Sequence, residues 1–198
     1  MITTSLSIFI AATIAFTGLT LGIANSKHFL VLDRLLQRRL FVRDEKPISH
    51  FLSVILAPKM LVLWDFILAA GLILHGKILA AGWALATLAF ADLCGIAVKH
   101  LIKRQRPYNH ADNKTGWSFP SGHILGATTM IIIIWILLGS QLPAALLAGL
   151  IIVGLTLAFA RLEAGAHYPA DLLGAALLAL ACCSISVFCW TNLPIIFA

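Results

Sequence analysis

The sequence predicts an all-α membrane protein, a six-transmembrane-helix bundle with an interfacial amphipathic helix between spans 1 and 2. Three observations lead there. Of the 198 residues, 61% are hydrophobic and only 11% charged, too few charges to solvate a soluble domain of this size. The apolar residues gather into runs near the roughly 20 residues that one helical crossing needs. Within those runs polarity does not alternate, as barrel strands would require, so closed backbone hydrogen bonding in lipid leaves the helix.

The expected spans cover residues 6–24, 60–74, 78–98, 124–139, 143–160 and 169–190, and the chain 1–198 reads as one integral membrane domain. The first run could be a secretory signal. However, residues 1–4 hold no Lys or Arg and the run outlasts a usual signal core, so a retained span is expected. Between spans 1 and 2, Leu32, Leu35, Leu36, Leu40 and Phe41 recur at helical spacing, with Asp33, Arg34, Arg38, Arg39 and Arg43 among them. That pattern suits an amphipathic helix in the membrane interface, and a connector helix packed on the bundle fits it equally well.

Six spans alternate the connections between two sides. Residues 27–59, 99–120 and 161–168 fall on one side; the termini and the tight turns 75–77 and 140–141 fall on the other. Nearly all polar chemistry therefore lies at one membrane face. The net charge of +6 sits between apolar segments and not in a basic tail. Anionic lipid headgroups or a phosphorylated substrate fit it, and nucleic acid is not expected. Cys94, Cys182, Cys183 and Cys189 stand in apolar runs without zinc-type spacing and read as packing residues.

Three polar clusters carry chemistry. Lys99 and Arg106 lie seven residues apart, about two helical turns, and offer a compact charge and a planar fork for phosphate. Basic residues also commonly end a span, so this pair alone says little. Residues 119–123, FPSGH, precede an apolar helix. Ser121 stands where it can cap that helix, Gly122 lets the backbone approach a ligand, and first-turn amides bind anions beside His123. A plain cap with a stray histidine is the competing reading. In the third cluster His167 and Asp171 are four apart, after Arg161 and across Pro169, which can open a helix. There Asp171 can accept from one imidazole nitrogen and orient the other toward substrate, although a structural His–Asp cap has the same spacing. Together the clusters form a cationic pocket at a bilayer edge, which answers to an anionic ligand.

These clusters resemble the signature of the type 2 phosphatidic acid phosphatase family. It is matched as K-x6-R-P at Lys99, Arg106 and Pro107, as P-S-G-H from Pro120 to His123, and as R-x5-H-x3-D at Arg161, His167 and Asp171. The six-span layout agrees with it as well. The resemblance implies metal-independent hydrolysis of a lipid phosphate or diphosphate through a phosphohistidine. His167 would be the nucleophile, Asp171 its orienting partner and His123 the general acid and base, with Lys99, Arg106, Ser121, Gly122 and Arg161 binding phosphate. It implies no cofactor and no metal ligand. One departure is Ala160, where the family usually has Ser.

The partner implied is a lipid phosphate in the bilayer, with undecaprenyl diphosphate the favoured candidate and a bacterial cell membrane the favoured location. Phosphatidylglycerol phosphate, phosphatidic acid and diacylglycerol diphosphate are alternatives. A lipid phosphotransferase, a vanadate haloperoxidase and a transporter or scramblase also remain open. Oligomeric state is not written in the sequence. The resemblance implies an extracytoplasmic site, whereas the positive-inside count favours the cytoplasm, since among 14 Lys and Arg only Lys77 lies opposite. Of the other polar residues, Asp65 and Asp92 read as bundle contacts, with Asp92 able to support Lys99. Glu163 reads as a headgroup selector or a solvated group, His100 and His110 as loop histidines, and Trp64, Trp83, Trp117, Trp135 and Trp190 as interface or packing aromatics.

Overall fold

A computed structural model of the chain describes residues 2–40, 47–107 and 116–192. Phe41 and Arg43 of the amphipathic pattern, and His110, lie outside the described residues. The described residues form eight α-helices: α1 (Ile2–Asn25), α2 (Lys27–Leu40), α3 (Pro47–Ile55), α4 (Pro58–Leu74), α5 (Ile78–Ile102), α6 (Gly122–Leu138), α7 (Ala144–Glu163) and α8 (Pro169–Asn192). Helices α1 and α4 to α8 cover the six expected segments, the largest shifts being α1 starting at Ile2 and α5 running on to Ile102. Helices α1, α5, α7 and α8 are long and apolar enough to cross a membrane. The pair α3 and α4, bent by 57°, would make a fifth span, and α6 is apolar but shorter at 17 residues.

Local chemistry explains where the helices start and stop. Ser26 breaks α1 from α2, its Oγ accepting the Phe29 amide at 3.2 Å. Pro58 and Pro169 open α4 and α8, where the missing N–H costs nothing. Lys103 closes α5 in the left-handed region (φ 50), its amide donating to the Lys99 carbonyl.

Helix α8 lies at the centre, with α1, α5 and α6 against it, while α4 packs on α5 and α7 joins through α6 and α3. The buried seam includes Leu61, Leu125, Met130, Leu157, Ala175 and Ala179. Small residues let the helices close up, as expected where lipid supplies no hydrophobic drive between them. A Cβ on Gly126 would come 2.8 Å from Leu61 Cδ1, and one on Gly174 would overlap the Phe119 ring. Cys182 and Cys183 are buried and the four thiols are free, in keeping with packing roles.

Two short helices turn their amphipathic faces in an unexpected sense. In α2 the buried residues are Asp33 and Gln37, while Val31, Leu32, Leu35 and Leu36 are exposed. In α3, absent from the sequence-based expectation, Ser49 and Ser53 are buried while Ile48, Phe51 and Val54 are exposed. Polar groups face the bundle and apolar ones face outward. Leu162 explains part of this, because its carbonyl, near the end of α7, accepts from Gln37 Nε2 at 2.9 Å.

Candidate active site

The link between α7 and α8 carries the central histidine. Gly165, at φ 63, makes a left-handed turn that an L side chain would strain, and His167 follows it with 1% exposure. Its Nδ1 lies 2.9 Å from the Ser118 carbonyl oxygen. A carbonyl only accepts, so Nδ1 carries the proton and Nε2 keeps the lone pair. Burial, aided by Arg106 and Arg161 and opposed by Asp171, pulls the His167 pKa down to about 4. The ring is therefore neutral near pH 7, the form that can attack an electrophile.

The structure sets a second acceptor, the Ser118 carbonyl, beside Asp171 at His167 Nδ1. Asp171 Oδ2 is 3.6 Å from His167 Nδ1, within ion-pair range but too long for a hydrogen bond. Its oxygens are already engaged, Oδ1 by Arg104 at 2.7 Å and Oδ2 by the Tyr168 amide at 2.8 Å. The Tyr168 bond is the back-reaching half of a capping box on α8. Ser118 thus fixes the His167 tautomer, and Asp171 contributes a nearby negative field.

Behind Asp171 stands Arg104, which the sequence reading passed over. Arg104 is buried, bridges Asp171 and Asp33 (2.7 and 2.6 Å), and lies 4.1 Å from the Tyr168 ring centroid. Asp33 also accepts the Ala170 amide at 3.1 Å, so α2 serves the α8 N-terminus in place of a local cap. The Arg104 carbonyl takes the Ser118 amide at 2.7 Å, which holds the histidine's acceptor in place. The one available signal was a charged Asp33 inside a helix whose neighbouring leucines suggested it should face water.

The other side of the cluster, which holds Lys99 and Arg106, forms where α5 ends and α6 begins. The Ser121 amide donates to the Asp171 carbonyl at 3.1 Å, stapling α6 to α8. Ser121 occupies the N-cap position, yet its side chain makes no capping bond; its hydroxyl is buried without a partner. That corrects the expected cap and leaves a hydroxyl free to meet a ligand. A Cβ on Gly122 would lie 4.0 Å from Lys99 Nζ, which places that ammonium beside the turn. Lys99 itself contacts the Trp117 carbonyl at 3.5 Å. Arg106 is anchored to the backbone by Nε to the Gly116 carbonyl (3.3 Å) and Nη1 to the Ala166 carbonyl (3.1 Å).

His123 completes the group. Its Nε2 is 3.1 Å from the Ser53 carbonyl of α3, which requires a proton there and leaves Nδ1 for proton transfer. Arg161, His167 and Arg106 lie close enough to act on it electrostatically, and Arg106 and Asp171 act on Lys99 in the same way. Lys99, Arg106, Ser121, Gly122, His123, Arg161, His167 and Asp171 are thus brought to one end of the bundle. Ala160 beside them is buried.

Two other expectations change. Glu163 is not solvated: it is buried and accepts from Ser49 Oγ at 3.2 Å, tying α3 to α7. Asp92 interacts with Asp65 across α4 and α5, whereas the carboxylate acting on Lys99 is Asp171. Trp83 packs as expected, 5.9 Å from Trp190. Among the described residues no three His, Cys, Asp or Glu side chains are grouped to hold a metal ion.

An all-helical bundle with apolar, membrane-length helices, carrying two histidines among cations at one end, defines an integral membrane protein with an anion-directed site. The chain belongs to the PAP2 superfamily, whose family model matches residues 80–194. Phosphatidylglycerophosphatase B of Haemophilus influenzae is 42% identical over 76 residues, which take in 36% of this chain. The match spans about a third of that relative's length, 32%. The crystal structure of a transmembrane PAP2-type phosphatidylglycerolphosphate phosphatase from Bacillus subtilis shares the fold, with a TM-score of 0.80. That likeness covers 90% of this chain and 94% of that one, at 19% identity.

Proposed function

We propose that this chain is a metal-independent lipid phosphatase that removes the terminal phosphate of phosphatidylglycerol phosphate. The observation that carries the reading is His167: buried, neutral, with its proton held by Ser118 and its Nε2 lone pair left among phosphate-type donors. Both named relatives are phosphatidylglycerophosphate phosphatases, which moves the favoured substrate away from undecaprenyl diphosphate.

In the first step His167 Nε2 bonds to phosphorus and the ester P–O bond breaks. The departing alkoxide takes a proton from Nδ1 of His123, which holds it as the imidazolium once the substrate's phosphate charge offsets the neighbouring cations, while Nε2 stays with Ser53. In the second step water attacks phosphorus, gives its proton to His123, and the P–N bond breaks to release inorganic phosphate. Lys99, Arg106, Arg161, the Ser121 hydroxyl and the Gly122 amide hold the equatorial oxygens where charge collects. Asp171 steadies the cationic His167 that forms.

The same reading takes residues 1–198 as one domain of six spans, counting α6, in a bacterial cell membrane. It places α2 in the interface with Leu32, Leu35 and Leu36 toward lipid, and the site on the extracytoplasmic face. Purified protein should release phosphate from phosphatidylglycerol phosphate faster than from undecaprenyl diphosphate or phosphatidic acid, with EDTA present. Label from the substrate's terminal phosphate should be trapped on His167 by acid-free quenching. Wild-type turnover in His167→Ala, or loss of activity to EDTA, would sink the mechanism; a reversed substrate order would sink the choice of lipid.

A further inference from the structure

A cavity of about 960 Å³ opens beside the catalytic cluster, between the end of α1, one flank of α2 and the segment that follows α5. Ile23, Leu30 and Ile102 give it an apolar wall, and Arg34, Arg38 and Arg106 a basic one. Arg106 belongs to the phosphate-binding set, and Tyr168, which also lines the cavity, adjoins His167. The space is therefore continuous with the site's edge, and its volume suits a lipid headgroup.

The arginines are not equivalent. Arg104 also lines the cavity, but Asp33 and Asp171 balance its charge. Arg34 and Arg38 sit one helical turn apart, and among the described residues no carboxylate pairs with either. Like charges at that spacing repel along a helix, so α2 carries an unfavourable pair that a shared anion would relieve. Two guanidinium forks converging on one space are suited to a phosphate group. The cluster around His167 already has its own donors for the phosphoryl group that reacts, so this second set needs a second anion.

We propose that Arg34 and Arg38 form a subsite for the non-reacting phosphodiester of a lipid headgroup that carries two phosphates separated by a short polyol. The proposal rests on the lipid phosphatase reading and adds what selects the substrate. The terminal phosphate enters the His167 cluster past Arg106, and the inner diester stops at α2. The acyl chains leave along Ile23, Leu30 and Ile102 toward the exposed leucines of α2. Phosphatidic acid has no diester and a lipid diphosphate has no spacer, so neither fills both sites.

The test compares kcat/KM for phosphatidylglycerol phosphate and phosphatidic acid in detergent micelles. The Arg34→Gln/Arg38→Gln variant should lose about tenfold or more on phosphatidylglycerol phosphate, chiefly through KM, as expected for lost charge-assisted hydrogen bonds. Its loss on phosphatidic acid should be much smaller, so the preference collapses. Arg34→Lys/Arg38→Lys should keep most of the preference, and Arg39→Gln, on the same helix but outside the cavity, should keep all of it. Equal losses on both lipids, no loss on either, or the same collapse in Arg39→Gln would overturn the subsite. Calorimetric binding of dihexanoyl phosphatidylglycerol, which has only the diester, needs no turnover. If wild-type protein hydrolyses neither lipid, the phosphatase reading fails, and the subsite stands or falls on whether that binding weakens in the double Gln variant.

Discussion

At Arg104 a single guanidinium joins Asp33 of α2 to Asp171 of α8, and its own carbonyl holds the Ser118 amide. The residue therefore touches no reacting atom yet adjoins both groups that set the state of His167. Removing it strands two buried carboxylates, for which a loss of about 3–5 kcal/mol is typical. Arg104→Ala should lower the unfolding temperature in detergent accordingly. A purely structural role would stop there. Losing Arg104 also leaves the Asp171 charge unopposed 3.6 Å from His167 Nδ1, which favours the imidazolium. The His167 pKa should rise from about 4 toward the ordinary 6.5. In the proposed mechanism attack needs the neutral ring, so the acid limb of the rate should move to higher pH, with activity lost below the new pKa and recovered above it. Arg104→Lys should restore part of the stability but not the full geometry, since an ammonium cannot span both carboxylates as a fork. An unmoved acid limb in Arg104→Ala would count against this role. The sequence grouped His123, His167, Arg106 and Arg161 because their residue types suit phosphate chemistry and the spacing within each motif is local. Arg104 and Asp33 meet across 71 positions, and no local spacing reports such a pair.

Among the elements, the long apolar runs were readable because lipid permits only one backbone solution for them. Helices α2 and α3 were less so. Periodicity shows that a helix has an apolar face but not whether that face meets protein or lipid, and here the polar faces point inward. Close approach between elements was equally hidden. Phe119, fully buried, stacks on Phe16 at 5.8 Å and covers Gly174 of α8, immediately before the Pro120–Ser121 turn. In Gly174→Ala the new Cβ would meet the Phe119 ring edge and come 3.4 Å from Leu19 Cδ2. The ring has little room to retreat. Overpacking of this kind costs typically 1–3 kcal/mol, and displacement of Phe119 carries Ser121 and Gly122 with it. Thermal unfolding should report the loss of stability, and a rise in KM the disturbed phosphate turn. Gly149→Ala, with nothing within 4 Å of the added Cβ, is the matched control and should change neither.

For the molecule as a whole, both readings of sidedness start from the same asymmetry of charge. In the six-span reading, Lys77, in the turn between α4 and α5, is the one Lys or Arg of the 14 expected on the far side. The positive-inside rule describes cations that have no other task than to stay behind during insertion. Here several have one. Arg104 is neutralised by two carboxylates, Arg106 is fixed to backbone carbonyls, and Lys99 lies against the Gly122 turn. Arg34 and Arg38 line the cavity beside them. Cations assembled for an anionic substrate report chemistry, and they would be present whichever way the site faced. Discounting them weakens the cytoplasmic argument without reversing it, so the family-based outward placement has to be tested directly. With the four native cysteines replaced by Ala and activity retained, Asn113→Cys, in the connection between α5 and α6, probes the catalytic end; Lys77→Cys probes the opposite end. An impermeant maleimide should label the first in intact cells and the second only after lysis. The reverse pattern would put the site in the cytoplasm and return the charge count to its ordinary meaning.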